Sequence, residues 1–140
     1  MNYKDFKHIY GLTFTELNNL VTAEVASLKV NATKYEIDRL NFSKLDTTSR
    51  SYCVYGQMTG DCFSSRATTL IKQSCERVFK ATYGTKLVEG RINGSPSDKN
   101  RDDFWSPIEI FIDQPRNKKN GNNERLIKYL KGETDVLNLK

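Results

Sequence analysis

The chain has little of the side-chain chemistry on which many enzymes depend, and it has no long apolar run. It contains one histidine, His8, and three cysteines among 140 residues. An odd number of cysteines is a poor basis for a disulfide framework and favours a compartment in which thiols stay reduced. No apolar run approaches the roughly 18 residues of a membrane span. Residues 1–6 carry an acid and lack the long apolar core of a signal peptide. The sequence therefore predicts a cytoplasmic protein that does not enter a membrane.

The size and composition are those of an ordinary small domain. Hydrophobic residues make up 37% and aromatic residues 11% of the chain. A chain of 140 residues is long enough to bury a substantial core. No internal repeat divides the sequence, so we expect a single domain over residues 1–140.

The positive charge is concentrated near the C-terminus. Residues 114–131 contain six cations and one acid, so this segment alone carries +5, which equals the net charge of the whole chain. A basic loop followed by a basic helix suits contacts with phosphate groups, and Tyr129 is available to stack on a base. The alternative is the solvated outer face that any surface helix needs. The residues expected to bind are Arg116, Lys118, Lys119, Arg125, Lys128 and Lys131.

The clearest helix begins at a capping box. Thr13 can accept a hydrogen bond from the backbone of Glu16, and the Glu16 side chain can accept one from the backbone of Thr13. The pattern predicts a helix from Phe14 to about Lys29. Its apolar residues recur on one face, and they are Leu17, Leu20, Val21, Val25 and Leu28.

Two further helices are expected downstream. Ser64 or Ser65 is a suitable N-cap for a helix over residues 65–79. Residues 114–123 read as a polar loop, from which Asn122 or Asn123 caps a last short helix that ends at Gly132. The residues expected to face inward are Ala67, Leu70, Ile71, Cys75, Val78 and Phe79 in the first of these helices, and Leu126, Ile127 and Leu130 in the last.

The remaining apolar segments predict strands. Residues 51–57 and 86–92 are rich in strand-forming types, and residues 34–42 fit a strand weakly. Residues 105–113 form a nearly continuous apolar run, which is typical of a central strand with Pro107 at its start. We therefore expect an α+β fold, in which helices pack on a small antiparallel or mixed sheet.

A glycine-spaced turn precedes the helix over residues 65–79. Gly56 and Gly60 permit positive φ, and Cys62 lies just before the helix start, where backbone N–H groups bind anions and lower the pKa of a thiol. The alternative function is therefore a cysteine-dependent enzyme centred on Cys62. The same helix start provides a candidate anion site formed by Ser64, Ser65 and Arg66.

The order Gly60-Asp61-Cys62-Phe63 resembles the nucleophile segment of ovarian-tumour-type deubiquitinases. That resemblance implies a catalytic histidine late in the chain, whereas the only histidine is His8. We therefore assign no family, and Cys62 is expected to be a packed small residue.

Other chemistries are excluded by spacing. A P-loop needs four residues between its glycines and then a lysine, but three residues separate Gly56 from Gly60, and Asp61 takes the lysine position. The cysteines lack the close pairs that zinc sites favour. No metal or cofactor is therefore expected.

The sequence predicts a non-enzymatic binding protein. Its expected partner is nucleic acid, or an acidic or nucleic-acid-bound protein complex, met through the basic C-terminal loop and helix. An inhibitor of a host defence complex, encoded by a phage or another mobile element, is one kind of protein that fits this description.

Overall fold

The computed structural model describes residues 13–83, 106–137 and 139, and within them every regular element is a helix. The predicted α+β fold is therefore wrong, since these residues contain no strand. A short 3₁₀ helix covers Phe42–Lys44. The helices are α1 (Phe14–Asn31), α2 (Lys34–Asp38), α3 (Val54–Thr59), α4 (Ser65–Tyr83), α5 (Pro107–Asp113), α6 (Pro115–Lys119) and α7 (Asn122–Leu130).

The first helix confirms the capping-box prediction. The Glu16 N–H donates to the Thr13 hydroxyl at 3.1 Å, and the Thr13 N–H donates to the Glu16 carboxylate at 2.9 Å. The helix continues two residues beyond the predicted end. Its inward residues Leu17, Val21, Val25 and Leu28 are fully buried, and Leu20 is partly buried against them.

The predicted strand over residues 51–57 is instead the helix α3. Cys53 caps it by accepting from the Gly56 N–H, and every residue from Val54 to Met58 is buried. Valine and tyrosine in this segment resemble a strand by type, but burial of five consecutive residues leaves no alternation to distinguish strand from helix.

The strongest predicted strand, residues 105–113, is also wrong, because its described residues form α5. Ser106 caps the helix by accepting from the Glu109 N–H at 3.3 Å, and Pro107 occupies the first helical position. Proline suits that position because the N–H it lacks has no partner within a helix. All seven residues of α5 are buried, and a helix buried on all sides reads as a continuous apolar run.

The weak strand over residues 34–42 is also not observed. A second capping box starts α2, in which Thr33 and Glu36 exchange backbone-to-side-chain hydrogen bonds of 2.9 and 3.1 Å. The predicted strand over residues 86–92 lies outside the described residues.

The two glycines of the central turn have different roles. Gly60 has the expected positive φ, at +96°, but it ends the helix α3 rather than following a strand. Gly56 lies inside the helix, where an added Cβ would sit 2.1 Å from the carbonyl oxygen of Arg50. A close approach of two backbone segments therefore requires glycine at position 56.

The hydrophobic core is arranged around α1, which packs against α4 and α5 and also contacts α7. The predicted inward residues of the last helix, Leu126, Ile127 and Leu130, are buried in this core. The last helix begins after Gly121 rather than after an asparagine cap, and Gly132 has φ +76° just beyond its end. In this described part of the chain, no helix is both long and apolar enough to span a membrane.

One carboxyl group lies inside the core. Glu24 on α1 is fully buried and accepts hydrogen bonds from the Tyr55 hydroxyl and, at 2.7 Å, from the Ile108 N–H. Burial raises the pKa of Glu24 to about 7, against the lowering effect of these hydrogen bonds. Glu24 thereby joins α1 to α3 and to the first turn of α5.

Candidate nucleic-acid interface

The predicted binding residues all lie on α6, on α7 or directly after α7, and we call the six together the basic surface. Of these residues, the three on α6 (Arg116, Lys118 and Lys119) and Lys128 are exposed. Arg125 and Lys131 are partly buried. The residues of the basic surface are Arg116, Lys118, Lys119, Arg125, Lys128 and Lys131.

Three of these cations bind other parts of the protein. Lys118 pairs with Asp113 at 3.3 Å, and Arg125 donates to the Asn120 carbonyl at 3.0 Å and to the Asn122 side chain. Lys131 donates to the Leu40 carbonyl at 2.7 Å. Arg125 and Lys131 therefore support the local structure as well as adding charge.

Lys119 and Lys128 differ from these three. Both are exposed, and neither forms an ion pair or hydrogen bond with another residue that the structure describes. Their ammonium groups can therefore bind a ligand without losing an interaction with the part of the chain that the structure describes.

Three buried asparagines hold the basic surface in place. Asn117 donates to the Phe111 carbonyl, Asn122 donates to the Asn117 side-chain oxygen, and Asn123 donates to the Ile112 carbonyl, each at 2.8 Å. The predicted polar loop over residues 114–123 is thus a short helix and a helix start that are tied to α5. Asparagine is common in loops, so the many asparagines of residues 114–123 indicated a loop and not this packing.

Tyr129 is not an open stacking platform. The Lys29 ammonium lies 4.1 Å from the centroid of its ring and also donates to the Tyr129 carbonyl at 2.7 Å. A base would have to displace Lys29 or use the opposite face of the ring.

Exposed aromatic rings lie instead on α2 and on the segment between α2 and α3. Tyr35, Phe42 and Tyr52 have 73%, 42% and 49% of their surface exposed, and we call these three residues the aromatic patch. Arg39 and Lys44 alternate with them along the chain, and the Arg39 guanidinium lies 5.8 Å from the centroid of the Tyr35 ring. Aromatic rings interleaved with cations are typical of surfaces that bind single-stranded nucleic acid.

Tyr52 of the aromatic patch lines a surface pocket of about 250 Å³. None of the described residues that line it is acidic, and two are cationic. The volume is slightly below the range of pockets for drug-sized ligands and fits a single phosphate or base. The lining residues are Arg39, Asn41, Lys44, Ser51, Tyr52 and Gln57.

Hydrogen bonds of Gln57 hold the lining of the pocket together. The Gln57 side-chain oxygen accepts from the Asn41 N–H at 2.6 Å, and its amide nitrogen donates to the carbonyls of Asn41 and Tyr52 at 3.2 and 3.0 Å. Gln57 thereby fixes the two backbone segments that form opposite parts of the pocket.

The pocket and the basic surface are adjacent. The hydrogen bond from Lys131 to Leu40 places the end of α7 beside Arg39 and Asn41. At the other end of the basic surface, the Thr47 hydroxyl contacts Asp113 at 3.4 Å, and Asp113 also binds Lys118. The segment over residues 40–47 therefore runs alongside both ends of the basic surface.

The candidate anion site at the start of α4 has its polar groups already engaged. The Ser64 hydroxyl accepts from the Ala67 N–H at 3.1 Å. Arg66 binds the Glu36 carboxylate through two hydrogen bonds of 2.7 and 2.8 Å, and its guanidinium lowers the pKa of Glu36 to about 2. Ser65 is exposed at the first position of the helix. This anion site stays a prediction, and the function proposed below does not use it.

Cys62, the candidate nucleophile, lies beside a second thiol. A hydrogen bond between the Cys53 and Cys62 thiols raises the pKa of Cys53, and burial raises it further. Cys75 lies apart from them, next to Glu24 and Tyr55. The single histidine, His8, lies outside the described residues, so no imidazole is brought to Cys62 by the part of the chain described here.

Neither the aromatic patch nor the pocket was predicted from the sequence. Tyr35 and Tyr52 had been assigned to strands, in which alternate residues would be buried. The available signal was the order Tyr35, Arg39, Phe42, Lys44, in which aromatic and cationic residues alternate.

Comparison of the chain with known proteins gives no match. No protein-family model matches the sequence, and neither a curated protein nor a solved structure is detectably similar to it. The function is therefore argued from the geometry of the surface itself.

Proposed function

We propose that this protein binds single-stranded nucleic acid, without catalysing a reaction, through the aromatic patch and the basic surface. The observation that carries the proposal is the exposure of Tyr35, Phe42 and Tyr52, of which Tyr52 lines a pocket. The described residues that line this pocket include two cations and no acid. Exposure of aromatic rings of this size to water is unfavourable in free energy, and stacking on unpaired bases removes that cost.

The aromatic patch supplies the part of the interaction that needs unpaired bases. Each base stacked on an aromatic ring contributes about 1–3 kcal/mol, and this gain is tolerant of sequence. Tyr52 lines the pocket, so a base stacked on its ring lies within reach of the other polar groups of the pocket.

The pocket supplies a site for one phosphate. Arg39 and Lys44 form no ion pair with another described residue, and the acids nearest to them in sequence are already engaged. Asp38 binds Lys34 at 3.2 Å, and Asp46 accepts from Thr48. A phosphate in the pocket would therefore meet two positive charges that are not ion-paired with any described residue.

The basic surface continues the path of the strand. Lys119 and Lys128 are exposed and available, and the link from Lys131 to Leu40 joins this surface to the pocket. Phosphates that follow the stacked bases would contact these cations and release their condensed counterions.

A protein partner remains a separate proposal. An acidic or nucleic-acid-bound complex, including the host defence complex considered from the sequence, would need the basic surface but would not need unpaired bases. Comparison of a single strand with a polyanion that has no bases separates the two partners.

The direct test is fluorescence anisotropy with a labelled oligothymidine, a duplex of the same length, and heparin as the polyanion without bases. We expect the single strand to bind at least tenfold more tightly than the duplex, because only unpaired bases reach the aromatic rings. Heparin should displace the single strand only at high concentration. Equal affinity for single strand and duplex, or no binding at low salt, would contradict the proposal.

A further inference from the structure

Cys53 and Cys62 bring two reduced thiols together at the corner between α3 and α4. Cys53 is the N-cap of α3, where its sulfur accepts from the Gly56 N–H at 3.3 Å. Its thiol also hydrogen-bonds to the thiol of Cys62, which lies between α3 and α4.

The backbone holds the two cysteines in this arrangement. The Cys53 N–H donates to the Ser49 carbonyl at 3.1 Å, and the Cys62 N–H donates to the Arg50 carbonyl at 2.9 Å. Two adjacent carbonyls therefore anchor both cysteines. The close approach of Gly56 to Arg50 keeps the intervening helix against the same turn.

We propose that Cys53 and Cys62 form a reversible disulfide, so that this corner is a site of thiol–disulfide exchange. The backbone anchors at Ser49 and Arg50 and the contact between the thiols hold the two side chains near each other, and rotation of the side chains is what would bring the sulfur atoms to the S–S length of about 2.0 Å. This activity is independent of nucleic-acid binding, and it uses residues outside the aromatic patch and the basic surface.

The two cysteines have different roles in the exchange. Cys62 is half-buried, whereas Cys53 is 1% exposed. Access decides which thiol an external disulfide meets first, so Cys62 is the attacking residue and Cys53 is the resolving residue. The oxidant is a small disulfide, for which oxidised glutathione is the probe.

The exchange proceeds in two balanced steps. The Cys62 thiolate attacks one sulfur of the glutathione disulfide, breaks its S–S bond and releases one glutathione thiolate, which takes up the proton lost from Cys62. The Cys53 sulfur then attacks the Cys62 sulfur in the mixed disulfide, and the departing glutathione thiolate takes the Cys53 proton. Two protein thiols are oxidised to one disulfide, and one glutathione disulfide is reduced to two thiols.

Oxidation should make the corner more stable. The bond links the N-cap residue of α3 to the segment that leads into α4, and so it restricts the unfolded chain. We expect the melting temperature to rise by about 3–8 °C on oxidation and to return to its former value with a reductant.

The test treats the purified full-length protein with glutathione disulfide and follows the intact mass, the melting temperature and the cysteine-containing peptides. We expect the mass to fall by two hydrogen atoms, with a peptide that links Cys53 to Cys62. Cys75 should remain available to an alkylating reagent after unfolding, since it is buried in the core. A Cys75→Ser variant should react like the wild-type protein, and a Cys62→Ser variant should show neither the loss of mass nor the rise in melting temperature.

Two results would overturn the proposal. One is a stable glutathione adduct on Cys62 while Cys53 still alkylates after unfolding. The other is an unchanged mass of the folded protein under an excess of glutathione disulfide. Neither result bears on nucleic-acid binding, which is measured separately.

Discussion

The Lys131 ammonium donates a 2.7 Å hydrogen bond to the carbonyl oxygen of Leu40, a residue that lies 91 positions earlier in the chain. This bond joins the end of α7 to the segment that carries Arg39 and Lys44. The bond therefore places the pocket next to the basic surface, although the two are far apart in sequence.

The contribution of this bond can be measured by replacing Lys131 with methionine. The variant keeps most of the apolar stem and loses the hydrogen bond to Leu40, so the free energy of unfolding should fall by about 1 kcal/mol. Lys128→Met is the matched control, because Lys128 has no such partner among the described residues, and its stability should change by less than about 0.5 kcal/mol. Urea unfolding of both variants checks this, and equal effects would show that the bond adds no stability.

The aromatic patch predicts a specific effect at Tyr52, which is 49% exposed at the pocket. Tyr52→Leu removes the ring, so the affinity for oligothymidine should fall about tenfold. Tyr52→Phe keeps the ring and should bind within about twofold of the wild-type protein, if stacking rather than the hydroxyl supplies the energy. Anisotropy titrations decide between these outcomes. A loss of affinity in the phenylalanine variant as large as in the leucine variant would argue against stacking.

The buried carboxyl group of Glu24 predicts a stability that depends on pH. Its pKa is about 7 in the folded protein and 4.5 as the reference value, so the folded state holds the proton more tightly. The contribution of Glu24 is therefore full below pH 4.5 and is lost as the pH rises to about 7, with a total change of about 3 kcal/mol. The groups that face it are Tyr55, Cys75, Ser106, Ile108 and Glu109.

A Glu24→Gln variant tests this directly. Glutamine does not titrate. The change in the free energy of unfolding between pH 5 and pH 8 should therefore be about 3 kcal/mol smaller in the variant than in the wild-type protein. Glu124→Gln, a change at an exposed residue of α7, should leave that difference unchanged. The window lies above the range in which Glu36 titrates, since pairing with Arg66 lowers the pKa of Glu36 to about 2. A wild-type profile that is retained in Glu24→Gln would refute the assignment.

The close approach at Gly56 predicts a large loss of stability on the smallest substitution. The Cβ of Gly56→Ala would lie 2.1 Å from the Arg50 carbonyl oxygen, so the backbone of α3 or of the Arg50 turn must move. We expect the free energy of unfolding to fall by about 3 kcal/mol or more, as for other changes that overpack a core. Thermal unfolding measures it, with Gly132→Ala as a comparison, where an added Cβ meets no atom within 4 Å and only the positive φ of +76° is unfavourable for alanine. A change at position 56 no larger than that at position 132 would contradict this account.

The sequence predicted those elements whose signals are local. The capping box at Thr13 and Glu16 and the apolar spacing of α1 are set within a few residues, so that prediction is confirmed. The stop at Gly132 and the inward residues of α7 are also confirmed. In each case, neighbouring residues within one or two turns carry all the necessary information.

The prediction failed where burial on every side removed the periodicity. In α3 and α5 each residue from Val54 to Met58 and from Pro107 to Asp113 is buried, so neither a period of 2 nor one of 3.6 is visible. The pocket could not be predicted for a different reason, because it combines residues 39–44 with residues 51–57 through the Gln57 hydrogen bonds. Such a combination depends on tertiary packing, which the sequence pattern does not encode locally.

The salt dependence of binding to oligothymidine tests the central claim most directly. Each phosphate contact adds about 0.7 to the slope of log K against log salt for a single strand, so Lys119→Glu and Lys128→Glu should each lower the affinity and reduce the slope by about 0.7 or more. The matched control is Lys72→Glu, which makes the same change of charge on α4 and should leave the slope unchanged. If the slope and affinity of Lys119→Glu and Lys128→Glu equal those of the wild-type protein, the basic surface does not bind the phosphate backbone.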